Sequence, residues 1–269
     1  MIELQSHSTV SDGQLEPAAV VEAAAKAGVT VLALSDHDAV AGVGEAQKAA
    51  EDLRVELVPA VEMSCVHAYA DDLHMLGYWI DVDAIAPACE RAQQERVERA
   101  GEIVERLRDE GFELTLEDAI AESGDALSVG RPHIARAAGA KPDQMSRFFE
   151  EYLIPGAKAF VPRRWPTADE AVEQIHAAGG KAVVAHPYWD VKDPAQVEEL
   201  IRALDLDGIE AFYPDHTRAQ TEHLLALCHE LGLTPTGSSD FHGPTHKTFS
   251  RFAAYRTYGL GQPEVPARR

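Results

Sequence analysis

The chain has 269 residues, 45% of them hydrophobic, and its 24 basic and 45 acidic residues give a net charge of −21. A protein this acidic repels polyanions, which disfavours duplex DNA as a partner. No apolar run approaches the roughly 20 residues that span a bilayer, and residues 1–7 lack the features of a secretory signal, so we expect a cytoplasmic protein without a membrane partner.

The first third of the chain alternates between predicted helices and strands. Residues 17–27 begin with Pro17 and are followed by Gly28, which is typical of a helix with proline in its first turn and glycine as its cap. A second helix is expected over residues 41–52. The apolar runs 29–34, 56–61 and 73–78 predict strands, the first of them buried on both faces.

A mainly helical block then interrupts the alternation. Residues 83–111 predict one long helix, and we interpret its interleaved charges as a solvated face. Shorter helices are expected from Thr115 and over residues 142–152, with the turn-rich residues 130–133 between them. We therefore predict an inserted helical subdomain, residues 83–159, that divides an α/β domain made of residues 1–82 and 160–269.

Strand–helix alternation resumes after the insertion. Residues 167–170 form a capping-box sequence that opens a helix ending near Gly179. Strands are expected over residues 181–185, 208–212 and 233–237, and helices from Asp193 and over 217–231. The last residues, 261–269, are expected to form a loose tail. Repeated strand–helix units of this kind predict a parallel sheet.

Imidazole and carboxylate side chains follow the predicted strands, where parallel sheets place their functional sites. The candidate metal ligands are His7, Asp12, His37, Glu62, His74, His186, Asp240 and His242. The three cysteines are widely spaced and predict neither a disulfide framework nor a zinc knuckle. A mixed nitrogen and oxygen shell suits Mn²⁺, Fe²⁺ or Zn²⁺, and one ion takes about three to six ligands, so we expect two or three ions.

The motifs around these residues resemble the PHP (polymerase and histidinol phosphatase) family of metal-dependent phosphoesterases over nearly the whole chain. They are His7-Ser8-Thr9, Ser11-Asp12-Gly13, Ser35-Asp36-His37-Asp38, Ala185-His186-Pro187 and Ser239-Asp240-Phe241-His242. The resemblance implies an α/β fold, a distorted (β/α)7 TIM-like barrel with an inserted helical subdomain, that holds up to three metal ions.

The resemblance also implies how the ligands are shared among the ions. The first ion would be held by His7, Glu62 and Asp240, the second by Glu62, His74 and His186, and the third by Asp12, His37 and His242. The opening motif of the family is Asp-x-His-x-His, whereas this chain has Glu3-Leu4-Gln5-Ser6-His7. Because a neutral carboxamide is a weak ligand, Gln5 is a weakened ligand position, and the first ion is expected to be loose or absent.

The resemblance is nearest to the branch that hydrolyses small nucleotide phosphates, so the expected partner is a small phosphorylated substrate, foremost a 3′,5′-bisphosphonucleotide. Asp240 is a candidate to accept or relay a proton, with His216 or His242 near the leaving group. Arg131, Arg163 and Arg164 are candidate phosphate-binding residues. The alternatives left open are a 5′→3′ exonuclease on short RNA, a histidinol phosphatase, and a non-catalytic metal-binding protein with a decayed site. The oligomeric state is also left open.

Overall fold

The computed structural model describes residues 1–124, 129–189 and 191–268, so parts of the predicted segments at 125–128, 190 and 269 lie outside the described residues. Its framework is one seven-stranded sheet whose strand order follows the chain. The strands are β1 (Ile2–Glu3), β2 (Val31–Leu34), β3 (Glu56–His67), β4 (Ala70–Tyr78), β5 (Lys181–Val184), β6 (Gly208–Phe212) and β7 (Thr234–Gly237).

Helices connect most of these strands, close to the predicted positions. They are α1 (Pro17–Lys26), α2 (Val43–Leu53), α3 (Val82–Asp109), α4 (Leu116–Ala121), α5 (Arg131–Ala137), α6 (Met145–Phe148), α7 (Ala168–Ala177), α8 (Pro194–Ala203) and α9 (Arg218–Leu231), with a π-helical turn at Phe149–Leu153. Within the described ranges, none of these helices has the length and apolar character that crossing a bilayer requires.

Strand β4 runs antiparallel to both of its neighbours, whereas every other pair in the sheet is parallel. The prediction of a parallel sheet is wrong at this strand. Strand β3 continues past the predicted end to His67, which pairs with Ala70 across a tight turn. So short a connection leaves no room for a crossover helix, so the chain folds back as a hairpin. His74 therefore lies within β4, opposite Ser64.

The sheet curls until its two edges nearly meet. The backbone N–H of His7 donates to the carbonyl of Phe241 over 2.8 Å, and that of Phe241 donates to the carbonyl of Gln5 over 3.3 Å. One buried cluster lies on the inner side of the strands, and a larger one joins their outer side to the flanking helices. The predicted distorted (β/α)7 TIM-like barrel is confirmed.

The C-terminal segment is docked, so the prediction of a loose tail is wrong. The indole N–H of Trp79 donates to the carbonyl of Pro266 over 2.7 Å, and the N–H of Glu264 donates to the carbonyl of Pro235. Val265 packs against the inner cluster of the barrel. The tail therefore covers apolar side chains that would otherwise meet water.

The insertion has a hydrophobic cluster of its own, which runs from Ala100 in α3 to Val161. The first turns of α3 pack instead with the core that surrounds the barrel. The predicted turn at residues 130–133 opens α5, with Gly130 as the N-cap and proline in the first turn. These separate cores support our proposal that residues 83–159 form a subdomain inserted into the barrel of residues 1–82 and 160–269.

Candidate metal centre

Glu62 lies at the centre of the histidine cluster, fully buried on the extended strand β3. Its Oε2 atom is 3.1 Å from Nε2 of His7 and 3.5 Å from Nδ1 of His37. Its Oε1 atom is 2.8 Å from Nδ1 of His74 and 3.1 Å from Nε2 of His186. Both oxygens of one carboxylate thus face imidazole nitrogens, an arrangement that suits a ligand shared between two ions.

The two aspartates complete the cluster. Oδ1 of Asp240 lies 3.1 Å from Nε2 of His7, and Asp12 lies 3.4 Å from Nε2 of His242 and 3.8 Å from Nε2 of His37. Within the described residues, three groups offer ligand atoms that all lie within 4.8 Å of one another: His7, Asp12, His37 and His242; His37, Glu62 and His74; and His7, Glu62 and Asp240. All eight predicted ligand residues are therefore brought together.

Local backbone geometry aims several of these side chains. His186 and Asp240 follow β5 and β7 with φ angles of 23° and 55°, in the left-handed region that side chains rarely adopt. Such conformations persist where the surrounding structure compels them, and they concentrate at functional sites. Each change of direction at a strand end turns a ligand towards the cluster.

The loop that carries Asp12 is held against the barrel by Asp36. The carboxylate of Asp36 accepts from the N–H and hydroxyl of Ser8 and from the hydroxyl of Ser11, each over 2.7 Å. A Cβ atom at Gly13 would lie 2.3 Å from the carbonyl oxygen of His7, so this approach requires glycine.

Unpaired buried atoms indicate that the residues fit a metal centre. Both ring nitrogens of His7, Nδ1 of His37 and Oδ1 of Asp240 are buried without a hydrogen-bond partner among the described residues. Their close contacts with neighbouring side chains lack hydrogen-bond alignment, so these polar atoms converge without hydrogen-bonding one another. A buried polar group left in this way is costly unless something binds it, and a divalent cation fits this set of nitrogen and oxygen donors.

The electrostatics keep the carboxylates of Glu62 and Asp240 and the ring of His37 in forms that can bind metal. Burial disfavours charge on Glu62, but the His37 and His74 rings outweigh it and hold the pKa of Glu62 well below its usual range. The pKa of Asp240 is lowered to about 2, since His242 and His7 likewise outweigh burial. Burial lowers the pKa of His37 to about 4 and keeps its ring neutral. Ionised carboxylates and neutral imidazole are the ligating forms.

Gln5 turns the donor side of its amide towards the cluster. Its Nε2 atom donates to Oε2 of Glu62 over 2.8 Å, while its Oε1 atom accepts from the Ser238 hydroxyl over 3.2 Å. Glu3, two residues earlier, accepts from the N–H and hydroxyl of Ser239 and from the N–H of Ala253. Both residues that depart from the family motif are therefore engaged in hydrogen bonds, and neither presents a free lone pair to the cluster.

A cavity of about 730 Å³ opens between the ligand cluster and the insertion. Arg131 and Arg163 line it, and both contact the carboxylate of Asp72, over 2.8 and 3.1 Å. Asp72 in turn lies 4.0 Å from Nε2 of His74. The structure thus brings two of the three predicted phosphate-binding arginines beside the ligand cluster.

Arg96 and Arg99 also line this cavity, and the sequence analysis missed them. Both lie on α3, whose charges were interpreted as a solvated face, yet Arg99 is only 7% exposed. Its Nη2 atom is buried without a hydrogen-bond partner among the described residues, and Arg96 contacts Asp38 over 2.6 Å. A signal was present, because the two arginines continue the helical spacing of the buried Ala92, Ala100 and Ile103.

The other two predicted site residues lie elsewhere. Arg164 is paired with Glu102, its side chain is 65% exposed, and it does not line the cavity. His216 is buried beside the Tyr213 ring, with Nδ1 3.2 Å from the carbonyl of Ala211, and it does not line the cavity either. Tyr213, which the sequence analysis missed, donates its hydroxyl to Oδ2 of Asp240 over 2.9 Å.

The PHP domain family matches residues 3–182 of this chain. The protein belongs to the PHP family. The predicted resemblance is confirmed, and this PHP protein is a metal-dependent phosphoesterase, as the sequence analysis expected.

Relatives with known names share most of this PHP chain. A 3′,5′-nucleoside bisphosphate phosphatase from Chromobacterium violaceum is 32% identical over 251 residues, which cover 90% of this chain and 87% of the relative. A 5′-3′ exoribonuclease from Haemophilus influenzae is 35% identical over 251 residues, 90% of each chain. The structure of an amidohydrolase from Chromobacterium violaceum with bound sulfate is similar, with a TM-score of 0.83, 30% identity, and coverage of 97% of this chain and 93% of the other.

Proposed function

We propose that the protein removes the 3′-phosphate from a 3′,5′-bisphosphonucleotide, which yields a nucleoside 5′-monophosphate and phosphate. The observation that carries this proposal is the pair Arg99 and Arg163, buried cations that line the cavity beside the metal centre. Nη2 of Arg99 and Nε of Arg163 have no hydrogen-bond partner within the described residues, and Nη1 of Arg163 lies 3.6 Å from Oε2 of Glu95. In a chain of net charge −21, two buried guanidinium groups with hydrogen-bond donors to spare suit a phosphate anion.

The substrate therefore needs two phosphates, one for each part of the cavity. The phosphate that is cleaved would lie at the metal centre, and the second would accept from the arginines. We propose that two or three divalent ions, Mn²⁺, Fe²⁺ or Zn²⁺, are held by His7, Glu62 and Asp240, by Glu62, His74 and His186, and by Asp12, His37 and His242. Such ions supply Lewis acidity that stabilises charge on the phosphoryl oxygens.

The protein itself has to move two protons. Water attacks phosphorus in line, the bond between phosphorus and the 3′-oxygen breaks, and the departing oxygen takes up a proton. We assign the acceptance of the water's proton to Asp240, whose Oδ2 atom is oriented by the Tyr213 hydroxyl over 2.9 Å. The departing 3′-oxygen would take its proton from Asp240 or from solvent, because His242, as a proposed ligand of the third ion, has to present a neutral ring.

The test compares two neighbouring arginines, of which Arg163 lines the cavity and Arg164 does not. Phosphate release is measured with adenosine 3′,5′-bisphosphate and with 3′-AMP, which lacks the second phosphate, in the presence of Mn²⁺. Arg163→Met should lower kcat/KM for the bisphosphate by about ten- to a hundredfold, the value of a charge-assisted contact of about 1.5–3 kcal/mol. Turnover of 3′-AMP should change far less, and Arg164→Met should leave both substrates unaffected.

Two further variants complete the experiment. Arg99→Met probes the same anion without removing a partner of Asp72, so it covers the case in which Arg163→Met fails to fold. His186→Ala should abolish turnover, because it removes a metal ligand. No phosphate release from the bisphosphate by the wild-type protein, or equal loss with Arg163→Met on both substrates, would refute the proposed function.

A 5′→3′ exonuclease acting on short RNA is the second candidate, because exoribonucleases from Haemophilus influenzae and Escherichia coli are 35% and 33% identical to this chain. The same arginines would then hold a terminal phosphate of the RNA. Measuring kcat/KM separates the candidate functions. The substrates compared are the bisphosphate, 5′-phosphorylated trinucleotides and histidinol phosphate.

A further inference from the structure

Part of the cavity lining is aromatic, unlike the arginine side. Trp189 and Phe249 both line the cavity, and their ring centroids are 6.2 Å apart. Trp189 is 47% exposed, and it is the one strongly exposed large hydrophobic side chain, among those described, that lines this cavity. An exposed indole face inside a polar, cationic cavity favours a ligand with a flat apolar surface.

A backbone hydrogen bond fixes the position of Trp189 beside the candidate metal centre. The N–H of Trp189 donates to the carbonyl of His186 over 2.7 Å, so the ring follows a candidate ligand by one tight turn. Its centroid is 6.1 Å from the His186 ring and 6.5 Å from the Tyr213 ring. Lys192 donates to the carbonyl of Trp189 and to that of Tyr188, which fastens the same turn. The indole is thus held beside the candidate metal centre.

The ring of Phe249 is held in place by the ring of His246. Its ring stacks on the ring of His246, with centroids 5.2 Å apart and planes 7° apart. Phe249 is largely buried, so its position is set by packing, whereas the face of Trp189 stays accessible. A rigid aromatic neighbour limits the movement of the indole and prepares it for stacking.

We propose that Trp189, backed by Phe249, is the stacking platform for the nucleobase of the substrate. The inference rests on the proposed nucleotide phosphatase function and assigns the base-binding part of the cavity. Every base has an aromatic face, so a platform of this kind accepts purines and pyrimidines and discriminates against phosphate esters without a base. The arginines select for the second phosphate, and Trp189 selects for the nucleoside.

The kinetic test compares a nucleotide with its base-free counterpart. The substrates are adenosine 3′,5′-bisphosphate and the abasic analogue in which hydrogen replaces the base. Trp189→Ala should raise KM for the nucleotide about tenfold, the usual size of one stacking contact, with little change in kcat. It should leave KM for the abasic analogue unchanged, and Trp189→Phe should restore most of the loss. Leu231→Ala, which removes an exposed hydrophobic side chain outside the cavity, is the matched control.

Fluorescence tests binding without turnover. The other two tryptophans are engaged elsewhere, Trp79 with Pro266 and Trp165 beneath the guanidinium of Arg91. Adenosine 5′-monophosphate should therefore quench the wild-type protein, ribose 5-phosphate should not, and Trp189→Phe should abolish the quenching. Equal KM effects of Trp189→Ala on both substrates, or quenching that survives in Trp189→Phe, would overturn the stacking assignment. Failure to hydrolyse the bisphosphate would overturn the proposed function, while the quenching experiment would still decide the role of Trp189.

Discussion

Replacing Gln5 by histidine should add a ligand to the metal centre. In the wild-type protein Gln5 Nε2 donates to Glu62 Oε2 over 2.8 Å, and an amide N–H has no lone pair to give to a metal ion. The group formed by His7, Glu62 and Asp240 therefore has three ligand atoms. It is expected to be the weakest of the three positions, because a hydrogen-bond donor stands where a fourth ligand would be.

The size of the change in metal affinity follows from the contacts that Gln5→His removes and adds. Gln5→His removes one hydrogen bond to a buried carboxylate, worth about 1.5–3 kcal/mol, and adds an imidazole beside the same oxygen. Even supporting groups around a metal change its affinity by about ten- to a hundredfold, so a direct ligand should tighten this position by at least tenfold. After dialysis the wild-type protein should keep about two ions per chain, and Gln5→His about three.

The assay is metal analysis of dialysed protein by mass spectrometry, with titration calorimetry for the weakest site. Gln94→His makes the same substitution on the exposed face of α3 and should leave the metal content unchanged. Three tightly held ions in the wild-type protein would refute the reasoning, as would a Gln5→His variant that gains none.

Three further predictions concern metal dependence, stability and proton transfer. Dialysis against a chelator should abolish phosphate release and Mn²⁺ should restore it, and activity in the metal-free protein would contradict this. Asp207→Asn should lower the free energy of unfolding by about 1–2 kcal/mol at pH 7, because Asp207 accepts from Lys181 over 2.6 Å and lies 2.8 Å from Nε2 of His176. Burial favours the neutral acid, but these partners outweigh burial and hold the pKa of Asp207 below its ordinary value of 3.8. The stabilisation by Asp207 is therefore complete above pH 3.8 and is lost as the pH falls through the folded-state pKa. Urea unfolding at pH 7 and at acidic pH checks this, and a difference that does not depend on pH would count against it. Tyr213→Phe removes the hydroxyl that holds Asp240 and should lower kcat about tenfold with little effect on KM, and an unchanged kcat in steady-state assays would argue against a positioning role.

The cluster of candidate metal ligands could be predicted from the sequence, because many of these residues occur in short motifs next to strands. His37, His186 and Asp240 follow β2, β5 and β7, and the ends of neighbouring strands in a barrel meet at one rim. A residue that follows a buried strand is therefore placed by topology alone. Predicting the positions of these three residues needed no knowledge of packing between distant elements.

The arginine side of the cavity was only partly predictable, because it depends on how the insertion packs over the barrel. Arg96 and Arg99 lie in a helix with charges along its length, and only the packing of that helix decides which charges are buried. For the same reason Arg163 and Arg164, adjacent in sequence, could not be separated, although one is buried at the cavity and the other pairs with Glu102 outside it.

The α/β alternation and the candidate metal ligands could be predicted from the sequence alone, because hydrophobic periodicity and strand ends are local properties. The direction of β4, the docking of the C-terminal segment and the orientation of Gln5 depend on contacts between elements distant in the chain. The hairpin after His67 leaves no room for a crossover helix, and Val265 packs over apolar side chains of the inner cluster of the barrel. The Gln5 amide turned its donor to Glu62 because a buried carboxylate accepts hydrogen bonds and cannot donate them.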